Sequence, residues 1–114
     1  MDVKKIQAEL SQFSKDRDWE QFHTPKNLVS ALSVESSELQ EIFQWLTAEQ
    51  SLNLNQKQLE ATEEEIADVA IYLLRLCDIL GINLEDVIKR KIARNNEKYP
   101  VNLSKGIAKK YNEL

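Results

Sequence analysis

Two pairs of acidic residues have the spacing of neighbours on a helix surface. Glu35 and Glu38 are three residues apart, and so are Glu65 and Asp68. Residues three apart project from adjacent positions on one helix face. If the two helices that carry these pairs pack antiparallel, the four carboxylates can share one partly buried site. Oxygen ligands of this kind suit Mg²⁺ or Mn²⁺, so the pattern indicates a magnesium site at which manganese is possible.

Glu35 is the member of this set that an ordinary surface position explains least well. It lies in the middle of an apolar helical stripe, and the stripe is formed by Leu28, Leu32, Leu39, Ile42 and Leu46. A carboxylate in apolar surroundings costs free energy unless it is paired or binds a cation. Four such charges also repel one another, so the site must bind protons or cations. A divalent cation there would permit a metal-assisted attack of water on a phosphate chain.

Two other interpretations of the carboxylates stay open. Acidic pairs at this spacing are common on solvated helix faces, and Thr62 and Glu65 have the spacing of a helix capping box. The chain would then be a non-catalytic helical interaction module. A di-iron bundle is excluded, because such bundles use a Glu-x-x-His motif on two helices. The one histidine, His23, precedes the second predicted helix.

Aromatic and basic side chains near the same helices could bind a nucleotide. Trp19 and Trp45 lie near predicted helix ends, and Tyr72 follows the second acidic pair by one helical turn. Flat rings beside a phosphate site favour base stacking, although packing explains tryptophans equally well. In the fourth predicted helix, Lys91 and Asn95 interrupt an apolar stripe and could bind phosphate oxygens. The alternative for Lys91 is that its amine extends to solvent.

Four helices would have to position these groups. Apolar spacing and capping residues predict helices over about residues 2–16, from Thr24-Pro25 to about Leu46, from between Gln56 and Thr62 to about Gly81, and from Asn83 to Pro100. Residues 100–114 form a basic C-terminal tail without a clear period. Two glycines and two prolines in 114 residues leave few positions that break a helix. We therefore predict one all-α domain over residues 1–114, a bundle of four helices.

The third predicted helix has apolar residues on two sides. One side consists of Ile66, Val69, Leu73, Leu76, Cys77 and Leu80, and the other of Ala67, Ile71 and Leu74. A helix that is apolar on most of its surface is buried on most of its surface. Three other helices can hardly cover it, so we expect a homo-oligomer, at least a dimer.

Charge and composition exclude several classes of protein. The net charge of −4 argues against a nucleic-acid partner. Asp68, Arg75 and Asp78 interrupt the longest apolar stretch, so no membrane span is expected. The N-terminus lacks the apolar segment of a signal peptide, and a single cysteine, Cys77, fits a reducing compartment. We expect a cytoplasmic protein.

Several strings of the sequence together resemble the MazG-like all-α nucleoside triphosphate pyrophosphohydrolases. They are RDWEQFHTPKNL, the ExxE motif Glu35-Ser-Ser-Glu38, FQWL, the ExxD motif Glu65-Ile-Ala-Asp68 and KYPVNLSKG. The resemblance covers about residues 6–111 and is greatest to the dCTP pyrophosphatase branch. It implies a Mg²⁺-dependent enzyme that hydrolyses a dNTP to the monophosphate and pyrophosphate, as house-cleaning of the nucleotide pool. It also implies a dimer or a dimer of dimers (a homotetramer).

The resemblance assigns roles to particular residues. It implies that Glu35, Glu38, Glu65 and Asp68 bind the metal ion, and of these we expect Glu35 and Glu38 to be catalytic, with Glu38 as general base. The same resemblance places the substrate beside Trp19, Glu20, Gln21, Phe22, His23, Trp45, Tyr72, Lys91 and Asn95. One departure concerns the base, since dCTP-preferring relatives align a histidine with Leu10. Leucine cannot hydrogen-bond a base edge, so we expect a broader range of dNTP substrates.

Overall fold

Helices and turns make up the chain over residues 1–113, which a computed structural model describes. The helices are α1 (Val3–Asp16), α2 (Pro25–Phe43), α3 (Ala48–Ser51), α4 (Gln56–Leu80), α5 (Leu84–Lys98) and α6 (Val101–Ser104), with 3₁₀ turns at Glu20–Phe22 and Tyr111–Glu113. No strand occurs within residues 1–113. The predicted all-α fold class is confirmed.

Side-chain caps explain where the long helices begin. The Thr24 side chain accepts a hydrogen bond from the Asn27 amide at 3.3 Å, and Pro25 supplies a preset φ at the first position of α2. At α4, Asn55 and Gln58 form a reciprocal capping box. These caps remove amide donors that the first turn of a helix leaves unpaired.

Helix α4 therefore begins six residues before Thr62, and the alternative of a capping box from Thr62 to Glu65 is wrong. Thr62 lies inside the helix, where its hydroxyl donates to the carbonyl of Gln58 at 2.7 Å. The carboxylate of Glu65 is thus not engaged at a helix start and is available to a site.

Helix α4 packs against both α1 and α2. His23, just before α2, contacts Arg75 near the end of α4, whereas Glu35 lies beside Glu65 closer to the start of α4. The two helices therefore run antiparallel, as the carboxylate pattern required. The side chains of Leu28, from α2, and of Leu74 and Cys77, from α4, are buried.

The structure differs from the predicted helix boundaries in three places. Helix α2 ends at Phe43 rather than near Leu46, because Thr47 takes an extended conformation to cap α3. The segment after α1, predicted to be irregular, contains the 3₁₀ turn Glu20–Phe22. In the basic tail, Pro100 ends α5 and its carbonyl accepts the first bonds of α6.

The chain divides into two compact units, Met1–Gly81 and a second that begins at Ile82. The single domain over residues 1–114 stays a prediction. Gly81 ends α4 with a φ of 67°, in the left-handed region that favours glycine. No helix within residues 1–113 has the length and apolar character that crossing a bilayer requires.

Replacing Gly81 with alanine should lower the free energy of unfolding by about 1 kcal/mol, because a side chain disfavours the left-handed conformation. A Cβ at Gly81 would meet no atom within 4 Å, so the cost lies in the backbone alone. Gly81→Asn should cost less, since asparagine tolerates this conformation. Urea unfolding followed by circular dichroism measures both variants, and an equal loss for the two would contradict the backbone explanation.

Candidate active site

Carboxylates from two antiparallel helices meet in the first unit. Glu35 and Glu38 project from α2, and Glu65 projects from α4. One oxygen atom from each lies within 4.8 Å of the others, a separation that lets one ion contact all three. Asp68 is half-buried one turn further along α4 and is outside this group. Its role as a fourth ligand stays a prediction.

The surroundings of this carboxylate cluster (Glu35, Glu38 and Glu65) favour protonation. Burial raises the pKa of Glu35 to about 7, and a hydrogen bond with Glu38 and the charges of Glu38 and Asp68 act in the same direction. Burial, followed by the charge of Glu38, also raises the pKa of Glu65. Negative charge at this place is therefore costly unless a proton or a cation is bound.

Two oxygen atoms of the cluster test whether a cation fits. Oε2 of Glu35 and Oε2 of Glu65 are buried, and no residue of the described chain donates a hydrogen bond to either. Buried acceptors without a partner are costly, and a divalent cation would supply the missing partner. The donor set is all oxygen, as hard cations such as Mg²⁺ require. The residues present fit a divalent metal ion.

A cavity of about 260 Å³ lies between α1, the segment after it and α4. It is lined by Leu10, Phe13, Ser14, Trp19, His23, Ile71, Tyr72 and Arg75. The cavity is smaller than typical ligand pockets of about 300–1,000 Å³, so it suits one base rather than a whole nucleotide.

The aromatic wall of the cavity is set by a turn at the end of α1. Asp18 has a φ of 54°, uncommon for a residue other than glycine, and its carbonyl and carboxylate both accept from the Gln21 amide. Trp19 follows at once, and its ring meets the edge of Phe13 with centroids 5.7 Å apart at 71°. At this angle only one of the two rings can lie flat against a base, and the other forms an apolar side wall.

Helix α4 joins the carboxylate cluster to the cavity. Glu65, Asp68, Tyr72 and Arg75 follow at spacings of three and four, which places them along one helix face. From Glu65 to Tyr72 the rise along the helix axis is about 10 Å. One nucleotide could therefore place its phosphate chain at the carboxylates and its base in the cavity.

Comparison with known proteins assigns the family. The profile of the MazG-like family matches residues 30–114. This chain belongs to the MazG-like family. The resemblance that the sequence strings indicate is confirmed.

Individual relatives agree with that assignment. This MazG-like chain is 43% identical over 115 residues to dCTP pyrophosphatase 1 of Rattus norvegicus and 37% identical to that of Homo sapiens. Both alignments cover 99% of this chain but 66% of the relative, so the chain spans less than two thirds of these relatives' length. The crystal structure of a pyrophosphatase from Archaeoglobus fulgidus DSM 4304 superposes with a TM-score of 0.83 at 42% identity, covering 88% of this chain and 94% of that one.

The predicted substrate residues of this MazG-like protein divide into those at the cavity and those elsewhere. Trp19, His23 and Tyr72 line the cavity. Glu20, Gln21 and Phe22 form the exposed 3₁₀ turn between two lining residues, and Trp45 is 87% exposed and outside the cavity. Lys91 and Asn95 are exposed on α5 in the second unit. The roles of all these residues in binding stay predictions.

Arg75 is a charged residue of the cavity that the sequence pattern did not predict as part of the site. It is only 4% exposed, and its Nε donates to Nδ1 of His23 at 3.2 Å. Its Nη1 donates to Asp78 at 3.4 Å, and its Nη2 lies 4.0 Å from Glu20. The available signal was a cation inside the apolar run LLRLC of α4, because a buried charge needs partners.

Proposed function

We propose that this protein is a metal-dependent nucleoside triphosphate pyrophosphohydrolase, which hydrolyses a dNTP to the monophosphate and pyrophosphate. The supporting observation is that two features lie along one face of α4. They are the carboxylate cluster, with its unpartnered buried oxygens, and an aromatic cavity of a size that suits a base. The dCTP pyrophosphatase 1 relatives and the pyrophosphatase from Archaeoglobus fulgidus support an activity of this class.

The metal ion of this proposal is Mg²⁺, with Mn²⁺ as the alternative. Glu35, Glu38 and Glu65 would hold it, with Asp68 as the fourth predicted ligand. When bound, it supplies positive charge that offsets the charge of the phosphate chain and of the carboxylates.

The chain's own residues would bind and orient the substrate. Trp19 would stack against the base, with Phe13 as an apolar side wall, while Tyr72 closes the side of the cavity nearest the carboxylates. Glu38, the exposed member of the cluster, would accept the proton of the attacking water. Lys91 and Asn95 would contact phosphate oxygens.

The proposal includes a homo-oligomer, a dimer or a tetramer. Within one chain Ile66 is 52% exposed and Ile71 is 38% exposed, on the helix that the sequence predicted to be covered on two sides. Trp45, which is 87% exposed and outside the cavity, stays a proposed substrate contact. We place the enzyme in the cytoplasm, where house-cleaning of the nucleotide pool would occur and the free thiol of Cys77 stays reduced.

Pyrophosphate release from all common NTPs and dNTPs, with and without Mg²⁺, tests this function. We expect release from dNTPs only when Mg²⁺ or Mn²⁺ is present. If no nucleotide yields pyrophosphate and calorimetry detects no metal binding, the chain is the non-catalytic interaction module instead.

Trp19→Ala should raise KM for the dNTP about tenfold or more with little change in kcat. Loss of one base–aromatic stack costs about 1–3 kcal/mol of binding, whereas the carboxylates that act on the phosphates are unchanged. Steady-state pyrophosphate release gives both constants. Leu52→Ala is the matched control, because Leu52 is apolar, 83% exposed and outside the cavity. An unaltered KM for Trp19→Ala would contradict stacking at this cavity.

A further inference from the structure

The cavity has one polar end, and its hydrogen-bond donors are only partly used by the protein. Arg75 donates through Nε to His23 and through Nη1 to Asp78. Its Nη2 lies 4.0 Å from a carboxylate oxygen of Glu20, beyond hydrogen-bond distance. Because a guanidinium does not lose its proton in proteins, Nη2 keeps donors available to an occupant.

The contact with Arg75 also determines which nitrogen of the His23 ring carries the hydrogen. Since Arg75 only donates, Nδ1 of His23 must accept, and in the neutral ring the hydrogen is then on Nε2. Ser14 Oγ lies 3.3 Å from the same Nδ1 and donates to the Leu10 carbonyl at 3.0 Å. Burial and the charge of Arg75 lower the pKa of His23, which favours the neutral ring. No residue in the described part of the chain accepts a hydrogen bond from Nε2.

Leu10, Phe13 and Ile71 form apolar walls of the cavity. These side chains cannot form hydrogen bonds with a base edge. We propose that Arg75 and His23 bind the base edge as paired donors and select bases that present two adjacent acceptors, a carbonyl oxygen beside an unprotonated ring nitrogen. Cytosine (O2 beside N3) and guanine (O6 beside N7) present such a pair, whereas thymine has an N–H donor between its two carbonyls and adenine has no carbonyl oxygen. This inference rests on the proposed function, since it names the substrate class of that site.

The first experiment compares kcat/KM for dCTP, dGTP, dTTP and dATP in the wild type and in Arg75→Met. A bidentate pair of hydrogen bonds discriminates between bases about ten- to hundredfold, so we expect dCTP or dGTP to exceed dATP by that factor. In Arg75→Met this preference should be lost through KM, while kcat/KM for dATP changes little. Methionine has a similar length and is tolerated in apolar surroundings, and thermal melting checks that the variant folds.

Three further variants separate base contact from structural support. Arg75→Lys keeps the charge but has a single nitrogen instead of the planar fork that reaches His23 and the base together, so it should retain stability and lose the preference. His23→Phe keeps a ring and removes the Nε2 donor, so it should lose the preference as well. Arg17→Met is the matched control, because Arg17 lies over the Phe13 ring at 3.6 Å without lining the cavity. Its preference should equal that of the wild type.

Binding of monophosphates without metal distinguishes failure of this inference from failure of the proposed function. Calorimetry with dCMP, dGMP, dTMP and dAMP measures base selection in the absence of any hydrolysis. If no triphosphate is hydrolysed but dCMP or dGMP binds more tightly than dAMP, the proposed function fails and base selection stands. Equal affinity for all four in the wild type, or an unchanged preference in folded Arg75→Met, would overturn the inference.

Discussion

Glu35→Gln is expected to reduce dNTP hydrolysis by about 10²–10³-fold or to below detection, while the protein still folds. Glu35 is the carboxylate at the centre of the cluster, and it contributes a buried oxygen that no residue of the described chain satisfies. Glutamine keeps the shape but removes the negative charge that a divalent cation requires. A loss of this size is typical when a preorganised electrostatic group is removed from an active site.

Stability separates this loss of activity from misfolding. Without metal, Glu35→Gln should melt at the same temperature as the wild type or higher, because the change removes one of several repelling carboxylates. Glu41→Gln is the matched control, since Glu41 is exposed on the same helix and outside the cluster. Pyrophosphate release and thermal melting measure the variants. Wild-type turnover in Glu35→Gln would mean that the cluster is not the metal site.

The metal-free protein should become less stable as the pH rises from about 4.5 to above 7, and Mg²⁺ should restore that stability. The pKa of Glu35 is 4.5 in an unperturbed chain and about 7 in the folded protein. Between these values the folded state holds a proton that the unfolded chain has released, so stability falls as the pH rises. The contribution is complete below about 4.5 and lost above about 7. The raised pKa of Glu65 acts in the same direction.

Above pH 7 a bound cation replaces the proton, so Mg²⁺ should raise the melting temperature more at pH 8 than at about pH 5.5. Melting curves with EDTA or with millimolar Mg²⁺ measure this difference. The lowered pKa of His23 works in the opposite direction near its titration, so the comparison with Glu35→Gln isolates the cluster. An increment from Mg²⁺ that is equal at both pH values would show that protons and metal do not compete for these carboxylates.

The helices and their order could be predicted because their signals are local. Thr24 and Pro25 at the start of α2 and Gly81 at the end of α4 act through the backbone of their own turns. The one-turn helices α3 and α6 were not predicted, because four residues carry too little periodicity to distinguish a helix from a loop. The spacing alone allowed two roles for Glu65, as part of a capping box or as a metal ligand. The cap at Asn55, where α4 begins, excludes the capping box.

The acidic part of the site could be predicted from the placement of Glu35 in an apolar stripe, because a charge at such a position needs a partner. The polar end of the cavity, where Arg75 contacts His23, could not be predicted from the sequence. Arg75 and His23 are 52 residues apart in sequence, and no periodicity within one helix relates them. The placement of Trp19 likewise depends on the turn at Asp18.

The sequence by itself determined the all-α class, the long helices and the four acidic residues that are candidates for a metal site, since these follow from residue type and helical spacing. Only the tertiary structure decided which carboxylates lie within reach of one ion, that their buried oxygens lack partners, and that Arg75 holds His23 beside a cavity. The physical reason is that burial and distances between helices arise when α2 and α4 pack antiparallel. The pKa of Glu35 depends on those distances and on no single stretch of the chain.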